Sequence, residues 1–153
     1  MSSRRRARQY ALQGLFYGDI NEMDVSAALA GLWSGLSEAD ALETDRPPTG
    51  DEVAFCEQLV RGVNEHQAAI DALIEQCSTN WRLPRMPLVD RNILRIAAFE
   101  LVHCEDIPVS VSMNEAIELA KRYGTAESRA FINGIVDRMG RLEAVGKKSS
   151  QDE

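Results

Sequence analysis

A helical apolar period returns in one segment after another of this chain, and the alternating pattern that a half-buried strand needs is almost absent. Val25, Ala28, Leu29, Leu32, Trp33 and Leu36 stand at the spacings of one buried helix face. Residues 4–17 do the same earlier, offering Ala7, Ala11, Leu12, Leu15 and Phe16 to a core and turning Gln9 and Gln13 to water. Asp24 is placed to cap the second helix. Thr49 to Glu52 has the T-x-x-E form of a capping box and opens a third helix along Val53, Cys56, Leu59, Val60 and Val63. A fourth follows Asn64 through Ile70, Leu73, Ile74 and Cys77.

Pro84 and Pro87 bound a connector, and Pro87 suits the first turn of a fifth helix, where its missing N–H costs little. That helix carries Val89, Ile93, Leu94, Ala97 and Leu101. Beyond Ile107-Pro108 the pattern predicts a sixth helix, Ser112 to Tyr123, with Ser112 and Glu115 as a second capping box and Gly124 as a left-handed C-cap. A seventh runs from about Ala126 to Leu142, with Phe131, Ile135, Met139 and Leu142 on its apolar stripe. The polar residues 146–153 read as a disordered tail. Seven helices and no strands predict an all-α bundle fold.

The formal net charge of -7 argues at first against a nucleic-acid binder. Its distribution says otherwise. Residues 1–18 carry four arginines and no acid, whereas residues 19–57 carry ten acids against the single Arg46. Within that acidic stretch, residues 37–51 lose periodicity and contain Pro47-Pro48 and Gly50, so they read as a loop. Residues 81–148 are nearly balanced.

The basic start is too quickly broken, by Gln13 and Gly14, to serve as a signal peptide, and no run is long and apolar enough for a membrane span. Cys56, Cys77 and Cys104 are odd in number, lack a C-x-x-C pair and fall on apolar helix stripes. They read as buried free thiols in a reducing, cytoplasmic setting. His66 and His103 have no partner at ligand spacing, so no metal site is expected, and no cofactor motif is present.

Two features offer chemistry. Arg4, Arg5, Arg6 and Arg8 crowd the start of a helix, where they repel one another and oppose the helix dipole. A polyanion would compensate, because each guanidinium presents a planar donor fork to phosphate oxygens. A solvated terminus, or pairing with the acidic stretch, would also compensate. The second feature is a corner: Lys121 and Arg122 close the sixth helix, and Arg129, Phe131 and Asn133 open the seventh. Cations, a ring and an amide together suit single-stranded nucleic acid, whose backbone is neutralised while its bases stack and are read. Equally, cations favour a helix C-terminus and a phenylalanine at helical spacing suits a core. Catalytic arrangements are poor. Asp90-Arg91 and the pair Glu115 and Glu118 read more simply as caps or a solvated face, and no phosphate loop or nucleophile elbow occurs. No enzyme is expected.

In the blocks Arg4-Arg5-Arg6-Ala7-Arg8, Ile93-Leu94-Arg95-Ile96-Ala97-Ala98-Phe99-Glu100-Leu101, Asn114-Glu115-Ala116-Ile117-Glu118-Leu119-Ala120-Lys121 and Phe131-Ile132-Asn133-Gly134-Ile135-Val136-Asp137, the chain resembles the NusB family of bacterial antitermination factors. The resemblance extends from Arg4 to about Leu142. It implies seven helices in two perpendicular three-helix bundles, here about residues 1–80 and 81–145. It also implies binding to boxA-type RNA of ribosomal operons together with NusE, a small-subunit ribosomal protein, within an RNA polymerase antitermination complex. By the same resemblance, Arg4, Arg5, Arg6 and Arg8 are the main RNA contact, Phe16 and Phe131 are the aromatics at the RNA, and Lys121, Asp90 and Glu127 lie near it. The two acids would then accept hydrogen bonds from base amino groups. Phe16 lacks the hydroxyl a tyrosine would supply, which leaves stacking without a hydrogen bond.

NusB-like helices also precede ribosomal RNA cytosine methyltransferase domains, and this chain is too short to be expected to hold one. The expectation is a non-enzymatic RNA-binding adaptor. With about four phosphates contacted, log affinity should fall against log salt with a slope of roughly -3. A rival reading is a protein-interaction module whose acidic loop binds a basic partner. Homodimerisation, which would bury the RNA surface, is left open by the resemblance.

Overall fold

The computed structural model describes the backbone of residues 3–36, 47–79 and 82–151, and the side chains of residues 4–35, 47–79 and 82–143. Among these residues are seven α-helices: α1 (Ser3–Asn21), α2 (Val25–Leu36), α3 (Gly50–Glu65), α4 (Gln67–Cys77), α5 (Leu88–His103), α6 (Val109–Tyr123) and α7 (Ala126–Gln151). A single 3-10 turn, Leu83–Arg85, precedes α5, and no strand occurs among the described residues. The chain divides into two units, Met1–Glu65 and His66–Glu153.

In the first unit α1 packs on both α2 and α3. Small residues let α1 and α2 approach: a Cβ at Gly14 would stand 3.3 Å from Leu32, and one at Gly18 would stand 3.2 Å from the Ala28 Cβ. Ala7, Tyr10, Ala11, Leu12, Ala28, Leu29, Leu32, Phe55, Leu59, Val60 and Val63 are buried there. Local chemistry sets the helix starts as the sequence implies. The Asp24 carboxylate accepts the Ala27 N–H at 2.8 Å. Glu52 and Thr49 bond reciprocally, Thr49 N–H to Glu52 Oε1 at 2.9 Å and Glu52 N–H to Thr49 Oγ1 at 3.2 Å. Glu52 is fully buried, and the same Oε1 accepts Arg6 Nη1 from α1 at 3.2 Å. One carboxylate thus caps α3 and ties it to the arginine-rich helix. Most of the acidic loop, residues 37–46, lies outside the described residues.

The second unit is built around α5, in which every residue from Asn92 to Leu101 is buried. α4, α6 and α7 all pack on it. Its polar residues are matched: Arg95 forks onto Asp71 of α4 at 2.9 and 3.0 Å, and Glu100 accepts the Ser112 hydroxyl of α6 at 2.9 Å. Ile70, Ile74 and Cys77 of α4 are buried, and Arg138 of α7 donates to the Cys77 carbonyl. α4 therefore belongs with the second unit, and the division falls at residue 65, upstream of the sequence expectation near residue 80.

Three local expectations are corrected. Helix α6 begins at Val109 on the Pro108 carbonyl, which accepts the Val111 and Ser112 N–H groups, so Ser112 is no cap and spends its hydroxyl on Glu100. Gly124 is extended, with φ -98°, rather than left-handed. A glycine is needed there for space: a Cβ would lie 2.8 Å from the Ser128 Cβ and 2.9 Å from the Ala120 carbonyl oxygen. In α7 the buried stripe is Ile132, Ile135, Val136 and Met139, while Leu142 is exposed. The tail expected to be disordered begins inside this helix, whose backbone is helical to Gln151; its side chains and residues 152 and 153 lie outside the described residues.

The burial of Glu52 opposite Arg6 has a measurable consequence. Glu52→Ala takes the carboxylate away from a buried guanidinium and should cost about 3–5 kcal/mol of unfolding free energy in urea, and a loss below about 1 kcal/mol would contradict a pair of this kind. The thiols make a second test. All three are buried, and burial, aided by Glu57, pushes the Cys56 thiol up to about 12. The native protein should leave a thiol reagent unconsumed until denaturant is added, and rapid labelling of the folded protein would refute the burial.

Candidate nucleic-acid interface

The four arginines of α1 divide into two kinds. Arg4 is exposed and Arg5 half-buried, whereas Arg6 and Arg8 are each 2% exposed. The helical period explains this, since Arg6 lies one turn before the buried Tyr10 and donates to its hydroxyl as well as to Glu52. Arg4 and Arg8, also one turn apart, both lie against the ring of Phe55 in α3, at 4.7 and 5.4 Å from its centroid. Intramolecular compensation thus serves Arg6 through Glu52, and the loop acids of residues 37–46 lie outside the described residues. Phe16, farther along α1, is half-buried.

In the second unit the turn between α6 and α7 gathers the other candidates. Lys121, Arg122, Glu127, Arg129 and Asn133 are exposed and Phe131 is half-buried. Thr125 sets the start of α7 by accepting the Ser128 N–H at 3.1 Å, a cap hidden in the T-x-x-S spacing that the sequence reading passed over. Lys121, which is exposed, pairs with the half-buried Glu118 at 3.4 Å, a link near the surface and therefore weak. Arg122 lies 5.6 Å from the Tyr123 ring centroid and donates to the Tyr123 hydroxyl.

Beside this turn is a cleft of about 290 Å³, lined by Met86, Pro87, Asp90, Glu127, Ser128 and Phe131. Asp90 and Phe131, far apart in sequence, thus face one space. Asp90 is 3% exposed and accepts the Ser128 hydroxyl at 2.9 Å. Burial raises its pKa, and the Ser128 hydrogen bond opposes that rise. A buried carboxylate, a hydroxyl and an aromatic wall form a pocket suited to a flat ligand carrying N–H donors. Arg91, the neighbour of Asp90, points elsewhere and donates to the Met86 and Pro84 carbonyls. No acid–base pair forms at that position.

His66 and His103 do meet, ring against ring at 4.0 Å, with Phe99 stacked next to His103 at 5.3 Å. Sequence spacing could not reveal that contact. No group of three metal-ligating side chains occurs among the described residues, and no helix there is long and apolar enough to cross a membrane.

The NusB family model matches residues 5–141. The transcription antitermination protein NusB of Desulfatibacillum aliphaticivorans is 47% identical over 152 residues, covering 97% of this chain and 99% of that protein. Its counterpart in Myxococcus xanthus (strain DK1622) is 45% identical over 91% of this chain and 95% of that protein. A solved structure of T. maritima NusB superposes with a TM-score of 0.77 at 35% identity, covering 90% of each chain. The fold also matches a crystal structure of the antitermination factors NusB and NusE with double-stranded RNA, at a TM-score of 0.78 and 20% identity, covering 93% of this chain and 98% of that one.

Asp90 gives the cleft a pH signature. With its folded-state pKa raised, the folded protein holds the proton more tightly than the unfolded chain. Stability therefore falls as pH rises from the ordinary carboxylate value through the raised one. Asp90→Asn should lose less stability than the parent between acidic and neutral pH, as read from urea midpoints, and superimposable profiles would exclude the effect.

Proposed function

Because the chain belongs to the NusB family, we propose that it is a non-enzymatic, cytoplasmic transcription antitermination factor that binds boxA-type RNA of ribosomal operons together with NusE and so joins an RNA polymerase antitermination complex. The observation that carries the RNA assignment is the cleft. A half-buried ring and a buried carboxylate line one pocket, next to a turn bearing exposed cations. Phe131 offers a face to an unstacked base. Asp90 and Glu127 offer acceptors to base amino groups, and Asn133 offers both donor and acceptor. Lys121 and Arg122 supply charge for phosphate. Phe16, half-buried on α1, offers a second stacking surface.

On α1 the phosphate contacts fall to Arg4 and Arg5, the two arginines of the run that are not buried. Arg6 and Arg8 serve by fixing the helix that displays them. The overall acidity of the chain supports selectivity, since a body of charge -7 repels polyanions except at such basic points.

Titrating a single-stranded boxA-type RNA at several salt concentrations, with and without the ribosomal partner, tests this reading. Phosphate contacts by Arg4, Arg5, Lys121 and Arg122 give a slope of log affinity on log salt of roughly -3, and Arg4→Ala with Arg5→Ala should flatten it by about 1.4. The partner should tighten binding to the same RNA through effective concentration. An unchanged slope would remove the arginines from the interface, and binding indifferent to both RNA sequence and partner would remove the antitermination assignment.

A further inference from the structure

Phe55 is buried, 7% exposed, yet two guanidinium groups of the neighbouring helix lie against its ring. Arg4 and Arg8 occupy one face of α1, a turn apart, where like charges oppose helix formation. Their shared contact with the negative face of one ring offsets that repulsion. Of the two, Arg8 is buried and Arg4 exposed. Phe55 itself is held by what surrounds it. Three residues before it, Glu52 is fixed by the Thr49 capping box and by Arg6, and one residue after it, Cys56 is fully buried. The ring is therefore part of a rigid bed beneath the arginine run.

Long arginine side chains lose rotamer freedom when fixed in one place. A guanidinium already resting on a ring has surrendered part of that freedom before any ligand arrives. We propose that Phe55 is a positioning residue for RNA binding, a ring that pre-sets the exposed Arg4 for phosphate while touching no RNA itself. This rests on the reading of Arg4 as a phosphate contact. It adds a residue on a different helix, from a position that motif comparison with the arginine run would never select.

A double-mutant cycle on the full chain tests it, using single-stranded boxA-type RNA as the probe. Phe55→Leu should weaken binding roughly two- to five-fold, the range of an exposed cation–π contact. Phe55→Tyr, which keeps the ring face, should restore affinity. In an Arg4→Gln background Phe55→Leu should have no further effect, because the ring acts only through that guanidinium. A loss of the same size in both backgrounds would mean that Phe55 merely supports the fold, and would overturn the proposal while leaving Arg4 at the RNA. No loss on Phe55→Leu, with Arg4→Gln still impaired, would overturn it equally. Arg4→Gln binding as tightly as the parent would instead overturn the phosphate role of Arg4, and the proposal with it. Thermal melts of each variant separate a destabilised fold from a mispositioned arginine.

Discussion

The first unit depends on one buried carboxylate. Glu52 accepts from the Thr49 amide and from Arg6 through the same oxygen, and so joins the start of α3 to the start of α1. Burying such a pair costs desolvation, and the geometry repays it only when both partners are present and well bonded. The pair therefore contributes register more than free energy. It specifies which turn of α1 meets which turn of α3, and from that follows which arginines face inward.

An arginine-rich segment is usually treated as a single electrostatic object. Here its members have different physical lives. Arg6 is an internal cation with its own counter-ion, Arg8 is packed on an aromatic ring, and Arg4 and Arg5 alone retain access to solvent. A charge tally of the first 18 residues counts four phosphates' worth of attraction, whereas the helix displays about half of that. The second unit makes up the difference at the turn between α6 and α7, where Lys121 and Arg122 stand beside a pocket with a buried acid. In the proposed function, phosphate attraction and base reading are divided among different side chains, as a selective rather than indiscriminate RNA binder requires.

Much of this fold was legible because helices announce themselves locally. Apolar period, the Asp24 cap and the Thr49–Glu52 box each act within a few residues, and the structure reproduces them. Features that depend on what a helix meets were not legible. Gly124 looked like a left-handed cap, yet its backbone is extended and its lack of a side chain answers to Ser128. Ser112 looked like a cap and proved to be the partner of a buried glutamate one helix away. The stacking of His66 on His103 and the bed formed by Phe55 arise from residues distant in sequence, for which no spacing rule exists. For the candidate interface, the sequence offered the cations, Phe131, Asp90 and Glu127 as candidates but not the cleft that Asp90, Glu127 and Phe131 line together.

The claim that the arginine run is split into buried and presented halves can be read residue by residue. Side-chain Nε resonances of arginine respond to ligand contact individually, and a titration with a single-stranded boxA-type RNA would report on all four at once. The account predicts that the Arg4 and Arg5 signals shift with RNA in a salt-sensitive manner while those of Arg6 and Arg8 hold their positions and stay protected from exchange. Large shifts at Arg6 and Arg8, with Arg4 and Arg5 unmoved, would contradict it.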